Sequence, residues 1–160
     1  MNDQNNENIE FHFAGDFMSD AHMNQREIKS SFFKLFNELK NSFHDRIVYH
    51  GVTIRDKKIK LLEESSIFCL PTYYKTEAFP ISILEALLFE NAIITTNHNY
   101  LNQLVSSENG EVISSKNIDE LFRAIENLID NRERLMKIQK ENRKLYFKMY
   151  SNKNYIEQLS

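Results

Sequence analysis

The sequence has 160 residues, a formal net charge of −3 at pH 7 and a single cysteine, Cys69. A chain of this length can bury one hydrophobic core, and its weakly acidic balance excludes a general electrostatic attraction to nucleic acid. One cysteine cannot form an internal disulfide, so a reducing, cytoplasmic location is expected. No apolar run approaches the roughly 18 residues that span a bilayer, so neither a membrane helix nor a signal peptide is expected.

Residues 1–8 are polar and are predicted to be disordered, whereas residues 9–160 are predicted to form one domain. The start of this domain predicts a strand, a long helix, a second strand and a second helix, over residues 9–14, 22–43, 47–49 and 57–64. Gly15 ends the first strand, and His50 and Gly51 end the second. Thr53 or Asp56 is the predicted cap of the second helix.

The middle of the chain predicts a strand, a loop, a helix and another strand in succession. The apolar run at residues 67–70 stops at Pro71, which cannot continue a strand ladder. Pro80 then opens an apolar helix at residues 81–89, because proline suits the first helical turn. The next strand covers residues 92–95. This order is typical of a parallel α/β sheet.

The last third of the chain predicts one more strand and two helices, over residues 111–113, 119–129 and 133–149, after a loop with one helical turn. The chain therefore alternates about five strands with helices. We expect an α/β fold, a Rossmann-like doubly wound parallel sheet with a C-terminal helix pair.

Glu85 is the one charged residue in the apolar helix 81–89. It shares a stripe with Ile81 and Leu88, so it needs either a charged partner such as a lysine or a position facing a cleft. Glu77 lies in the preceding loop, where the alternative is a solvated acid. The helix N-terminus between the two acids is suited to bind phosphate. Two acids beside an anion site would fit a nucleotide sugar, which carries both phosphates and hydroxyls.

Glu77 and Glu85 are separated by seven residues within LPTYYKTEAFPISILEAL. This segment resembles the paired-glutamate motif of the family-four retaining glycosyltransferases, which have the GT-B fold, and the resemblance runs from about residue 13 to the end. It implies the carboxyl-terminal, donor-binding domain of a retaining hexosyltransferase. Such an enzyme transfers a hexose from a nucleoside-diphosphate sugar to an acceptor hydroxyl in glycan or polysaccharide biosynthesis.

The resemblance also implies roles for the motif residues. Glu77 would contact the hydroxyls of the transferred sugar, and Glu85 would bind the ribose. The backbone of Phe79, Pro80, Ile81 and Ser82 would face the diphosphate. The N–H groups of Ile81 and Ser82 would donate to it, while Pro80 has no N–H and only shapes the turn.

Three residues in the first part of the chain belong to the same implied site. His50 and Gly51 would lie beside the nucleotide base and contact it through backbone atoms. Gly15 would lie near the same crevice, although a simple turn explains the Gly15-Asp16 pair equally well.

The sequence departs from the family pattern in three ways. It lacks an acceptor-binding half, for which another chain is one source, and it lacks the first strand of the donor half with its arginine and lysine. Glu90 stands where a glycine usually follows the motif helix, so we expect Asn91 to take the left-handed conformation there. A non-catalytic nucleotide-sugar binding or interaction module is therefore the alternative function.

The remaining features concern cofactors and surfaces. The five histidines show no metal-ligand spacing, so neither a metal nor another cofactor is expected. The last helix is rich in lysine and arginine opposite an apolar stripe. Such a helix either covers the domain with a solvated basic face or makes a peripheral contact with the inner face of a membrane.

Overall fold

A computed structural model describes residues 9–20, 22–73, 80–99 and 101–150 of the chain, without the side chains of the last two. Residues 1–8, which are predicted to be disordered, and the residues after 150 lie outside the described residues. The chain divides into two compact units, Met1–Lys58 and Ile59–Ser160.

The first unit contains two parallel strands and a long helix. Strand β1 (Phe11–Phe13) pairs with β2 (Ile47–Tyr49), and between them lies α1 (Gln25–Phe43). Asn24 caps α1 in a capping box, because its side chain accepts from the Glu27 N–H while the Glu27 carboxylate accepts from the Asn24 N–H. The helix therefore starts three residues later than the periodicity predicts.

Aromatic side chains form most of the packing in the first unit. Six rings from α1, β1, β2 and the segment between β1 and α1 form one cluster, with centroid separations of 5.2–6.4 Å. They are Phe13 of β1, Phe17 of the segment, Phe32, Phe33 and Phe36 of α1, and Tyr49 of β2. Such edge-to-face and tilted pairs stabilise a small core beyond the area they bury.

The second unit is a three-stranded parallel sheet with helices on both faces. Its strands are β3 (Ile67–Leu70), β4 (Ala92–Thr96) and β5 (Gly110–Ile113), and β4 is central. Its helices are α3 (Ile81–Leu88), α4 (Leu101–Leu104), α5 (Ile118–Asp130) and α6 (Arg132–Tyr150), while α2 (Arg55–Glu64) continues into it from the first unit. The predicted fold class is confirmed.

Strand β4 is fully buried because its alternate side chains enter two different cores. Ile93 packs with residues of α3 and α4, including Ile83 and Leu87. Ala92 and Ile94 point the other way and pack with residues of α5 and α6, namely Ala124, Leu128, Leu135 and Ile138. This arrangement is the two-faced burial that a doubly wound parallel sheet requires.

Glycine is required where β5 begins. A Cβ at Gly110 would lie 1.9 Å from the carbonyl oxygen of Ile93 in the neighbouring strand. Gly110 pairs with Ile93 in the parallel ladder, so β5 starts at Gly110, one residue before the predicted start.

The left-handed residue after α3 is Glu90, with φ 63°, and the prediction that Asn91 would take this conformation is wrong. Asn91 is fully buried, and its side-chain amide donates to the carbonyl oxygens of Leu62 and Phe89, each at 2.9 Å. These hydrogen bonds fix Asn91, so the exposed Glu90 takes the strained backbone angle.

Candidate functional site

Helix α3 is buried most completely on one face. Ile83, Ala86 and Leu87 are buried in the core. Ile81 is 68% exposed and Glu85 is half-buried on the opposite side. The Glu85 carboxylate therefore lies on the accessible side of the helix and avoids the cost of complete burial.

The residue at the N-cap position of α3 provides no side-chain cap. Pro80, in extended conformation, occupies the N-cap position and makes no side-chain hydrogen bond to the first turn. Its carbonyl oxygen accepts from the Ile83 N–H at 3.0 Å, as the first bond of the helix. The N–H groups of Ile81 and Ser82 therefore lie at the positive end of the helix, and Pro80 does not cap them.

Two threonines of β4 hold the chain that leaves β3. The hydroxyl of Thr95 donates to the carbonyl oxygen of Leu70 at 3.0 Å, and the hydroxyl of Thr96 donates to the carbonyl oxygen of Thr72. These contacts fix the start of the segment between β3 and α3 at the carboxyl end of the sheet. In open α/β sheets, this is the end where ligands bind.

A cavity of about 180 Å³ opens at the same end of the second unit, between the ends of the three strands and the start of α5. Its walls are mostly apolar and come from Pro71, Tyr73, Thr96, Ile113, Lys116, Asn117, Ile118 and Leu121. The Lys116 ammonium lies 4.6 Å from the centre of the Tyr73 ring. This distance indicates a cation–π contact at the edge of the cavity.

A tight turn after β5 positions Lys116. The Glu120 carboxylate accepts from the Ser114 N–H at 2.6 Å and from the Asn117 side chain at 2.8 Å. The hydrogen bonds from Ser114 hold the pKa of the Glu120 carboxyl below its usual value. Lys116 has a left-handed φ of 63° within this turn. The sequence pattern alone does not single out Lys116, although the Ser-Ser-Lys-Asn segment before a helix is a turn signal.

Glu77 and Phe79 lie outside the described residues, so their predicted roles remain predictions. The described part of the motif consists of Pro80, Ile81, Ser82 and Glu85, and α3 brings these together at its first two turns. Their assignment to ribose and diphosphate also remains a prediction.

In the first unit, Gly15 and Gly51 are brought together at the carboxyl ends of β1 and β2. The Gly15 N–H donates to the Gly51 carbonyl oxygen at 2.9 Å, and the Tyr49 hydroxyl donates to the Gly15 carbonyl oxygen at 3.0 Å. Gly51 has φ 65°, which glycine adopts without strain. The Gly15–Asp16 turn is therefore a fixed part of the strand ends. Its position near a nucleotide, and the contact of His50 and Gly51 with the base, remain predictions.

His50 belongs to a chain of hydrogen-bonded side chains that the sequence pattern does not predict. His12 Nδ1 lies 2.8 Å from His50 Nε2, and His12 Nε2 lies 3.0 Å from the Glu10 carboxylate. Desolvation, followed by the nearby His12 and Lys57, lowers the pKa of His50. Alternation along β1 places Glu10 and His12 on the same side of the strand. Their link to His50 depends on the pairing of β1 with β2.

Within the described ranges, no group of three His, Cys, Asp or Glu side chains is placed to hold a metal ion. Among the described helices, none has the length and apolar composition needed to cross a membrane. The expectation that no metal takes part remains a prediction.

Comparison with known sequences gives one family match and one curated relative. Residues 1–145 match the family model described as glycosyl transferases group 1. An uncharacterized glycosyltransferase of Haemophilus influenzae is 35% identical over 83 residues, which are 51% of this chain and 23% of that protein. The chain thus spans about a quarter of the length of this relative.

Comparison with solved structures supports the fold. HepE of Anabaena in complex with UDP superposes with a TM-score of 0.75 at 17% identity, covering 94% of this chain and 40% of that chain. Sucrose-phosphate synthase from Thermosynechococcus elongatus gives a TM-score of 0.71 at 17% identity, covering 92% and 36%. The chain has the fold of a part of these larger proteins.

Proposed function

The chain belongs to the family of group 1 glycosyl transferases, and on this basis we propose that it is the donor-binding part of a retaining hexosyltransferase. The donor is a nucleoside-diphosphate hexose. The acceptor is a hydroxyl group of a glycan or polysaccharide made in the cytoplasm. A separate acceptor-binding domain is a further proposed partner of this donor-binding part.

The observation that carries this proposal is the position of Glu85 relative to the N-terminus of α3. The carboxylate lies on the accessible side of α3, one helical turn beyond Ile81, and the N-cap residue Pro80 provides no side chain to cap the N–H groups of Ile81 and Ser82. A carboxylate accepts well from the two hydroxyls of a ribose, while uncapped N–H groups at a helix start donate to phosphate. A nucleoside diphosphate has both groups in one molecule.

The solved relative HepE supports the class of ligand, since it has been obtained with UDP-glucose and with UDP. In the proposed reaction, the bond between the sugar C1 and the diphosphate oxygen breaks and a bond from C1 to the acceptor oxygen forms on the same face. The proton of the acceptor hydroxyl passes to the departing diphosphate. The α3 N-terminus stabilises the charge of the departing diphosphate. Glu77 would contact hydroxyls of the transferred sugar, and no metal ion is required in this scheme.

Calorimetry with nucleoside diphosphates would test the ribose contact. Glu85→Ala should weaken UDP binding by roughly 10- to 150-fold, since a hydrogen bond to a charged group contributes about 1.5–3 kcal/mol. The matched control is Glu126→Gln on α5, which should leave the affinity unchanged. A panel of UDP, ADP and GDP would identify the base at the same time.

A second ligand makes the test specific for the ribose. On the unmodified protein, 2′-deoxy-UDP should bind more weakly than UDP, whereas Glu85→Ala protein should bind both equally. Equal affinities of the unmodified and Glu85→Ala proteins for UDP would show that the ribose role is wrong.

The second candidate is the alternative that the sequence leaves open, a non-catalytic nucleotide-sugar binding module. Incubation with labelled UDP-glucose and other nucleotide sugars, followed by detection of free sugar and free UDP, separates the two candidates. Binding without turnover would favour the module, and steady release of UDP would favour the enzyme.

A further inference from the structure

The inner face of α6 is committed to packing within the second unit. Leu135 and Ile138 are buried in the core below β4, and Tyr146 packs against the core around Ile83. The fully buried Asn142 lies on the same face of the helix. An α6 packed in this way cannot insert its apolar stripe into a bilayer, so only its outward face is available to a partner.

The outward face carries a row of four exposed lysines, which we call the lysine row: Lys137, Lys140, Lys144 and Lys148. Their spacings of three, four and four residues place them along one side of the helix. At 1.5 Å per residue, the row is about 16 Å long.

Acidic residues neutralise only part of this row. Lys144 donates to the Glu141 carboxylate at 2.7 Å. That bond, together with the nearby Lys140 and Lys137, holds the pKa of Glu141 below its usual value. Within the part of the chain that the structure describes, Lys137, Lys140 and Lys148 make no salt bridge of their own.

Two large apolar side chains flank the lysine row. Met136 is 65% exposed and Phe147 is 51% exposed. They are 11 residues apart, about three helical turns, and therefore lie on the same side of α6, near the two ends of the row. A lipid surface accommodates exposed apolar side chains beside lysines, because the apolar groups enter the headgroup region while the ammonium groups contact phosphates.

We propose that the outward face of α6 is a docking surface for an anionic lipid bilayer, with the lysine row on the phosphate groups and Met136 and Phe147 among the headgroups. The positive charge of the lysine row complements the negative charge of anionic lipid. The net charge of the whole chain, −3, gives no such attraction to the bilayer. A nucleic acid would use the lysines but would leave Met136 and Phe147 without a role. The proposal does not depend on the glycosyltransferase function.

Vesicle sedimentation of the full chain tests the charged part of the proposal. The protein should bind vesicles of phosphatidylcholine with 30% phosphatidylglycerol, and binding should fall as salt increases. Vesicles of phosphatidylcholine alone should not bind it. Lys137→Gln with Lys140→Gln and Lys148→Gln should weaken binding at least tenfold. The matched control replaces three exposed lysines of α1, Lys29, Lys34 and Lys40, by Gln and should bind as before.

A fluorescent reporter tests the apolar part. The chain has no tryptophan, so Phe147→Trp introduces a single one on the outward face of α6. Its emission should shift to the blue on the anionic vesicles and should be quenched by brominated lipid. Leu35→Trp, at a position 58% exposed on α1, should show neither change.

Several outcomes would overturn the proposal. These are failure to bind the anionic vesicles, equal loss of binding in both lysine triples, and an unshifted Phe147→Trp spectrum on bound protein. Binding to single-stranded RNA that is tighter than binding to the vesicles, and lost with the α6 triple, would assign the surface to nucleic acid instead.

Discussion

The side-chain amide of Asn142 donates to the main-chain carbonyl oxygen of Asn91 at 2.6 Å, which joins the middle of α6 to the start of β4. The same amide donates to the carbonyl oxygen of Asn109, at the start of β5, at 3.1 Å. A reversed amide would direct its oxygen at two carbonyl oxygens, so this orientation is fixed. Asn142 therefore aligns α6 with two strands of the sheet.

Asn142→Leu should destabilise the protein by about 1–3 kcal/mol. The Asn109 carbonyl oxygen still accepts from the Ile93 N–H, so the main cost is the buried Asn91 carbonyl oxygen that loses its donor. Urea unfolding followed by circular dichroism measures this change. Lys140→Leu, at an exposed position of the same helix, is the control and should stay within about 0.5 kcal/mol. Equal effects of the two substitutions would contradict this role of Asn142.

Glu90→Gly should stabilise the protein by about 1 kcal/mol, because Glu90 has φ 63° and a side chain is strained there. Glu90 also lies 3.6 Å from the Arg143 guanidinium, but an exposed ion pair of this kind contributes little. Glu90→Ala removes the same ion pair and keeps the strain. The difference in melting temperature between the Gly and Ala variants therefore measures the backbone strain at residue 90. Equal melting temperatures of the two variants would show that Glu90 is not strained.

Most of the fold follows from local sequence patterns. The bounds of β2 and β3 and the first residues of α3 and β4 agree with the prediction, because Pro71, Pro80 and the apolar runs mark them directly. The start of α1 at Gln25 depends on the Asn24–Glu27 capping box, which the helical period alone does not reveal. The start of β5 depends on the contact between Gly110 and Ile93, a tertiary effect.

The candidate site was less predictable than the fold. Glu85 lies on the accessible side of α3, and Pro80 at the helix start provides no side-chain cap. Binding of a ligand at this helix end remains a prediction. The left-handed residue after α3 was wrongly predicted, because the buried hydrogen bonds of Asn91 involve Leu62, which is distant in sequence. The pairing of His12 with His50 was also missed, because it needs the parallel register of β1 and β2.

Acidification should weaken the first unit through His50, whose pKa is lowered in the folded protein relative to 6.5. Above pH 6.5, His50 is neutral in both states and its contribution to stability is complete. As the pH falls below 6.5, the unfolded chain binds a proton more readily than the folded chain, so stability decreases until the lower, folded pKa is passed.

A proton-NMR titration of the His50 ring checks the direction of this shift. Lys57→Gln should raise the pKa of His50 toward 6.5, because the Lys57 ammonium lies close to His50 and donates to its carbonyl oxygen at 3.3 Å. Lys34→Gln, on the exposed side of α1, should leave it unchanged. A His50 pKa at or above 6.5 in the unmodified protein would show that burial does not act as described.

Ile81→Pro should weaken binding of a nucleoside diphosphate while leaving α3 folded. Proline is well tolerated at the first position of a helix, and Pro80 before it already has the extended conformation that a following proline requires. The substitution removes one N–H group that we propose as a phosphate donor. Since a hydrogen bond to a charged group contributes about 1.5–3 kcal/mol, the affinity for UDP should fall roughly 10- to 150-fold.

Ile81→Ala is the matched control, because it shortens the same exposed side chain and keeps the N–H group. It should bind UDP within about twofold of the unmodified protein, since the Ile81 side chain is 68% exposed. Uridine without phosphate separates the two ends of the ligand: its affinity should be equal in the Pro and Ala variants, because only the phosphate uses the N–H group. Equal affinities of the Pro and Ala variants for UDP would exclude the Ile81 N–H as a phosphate donor.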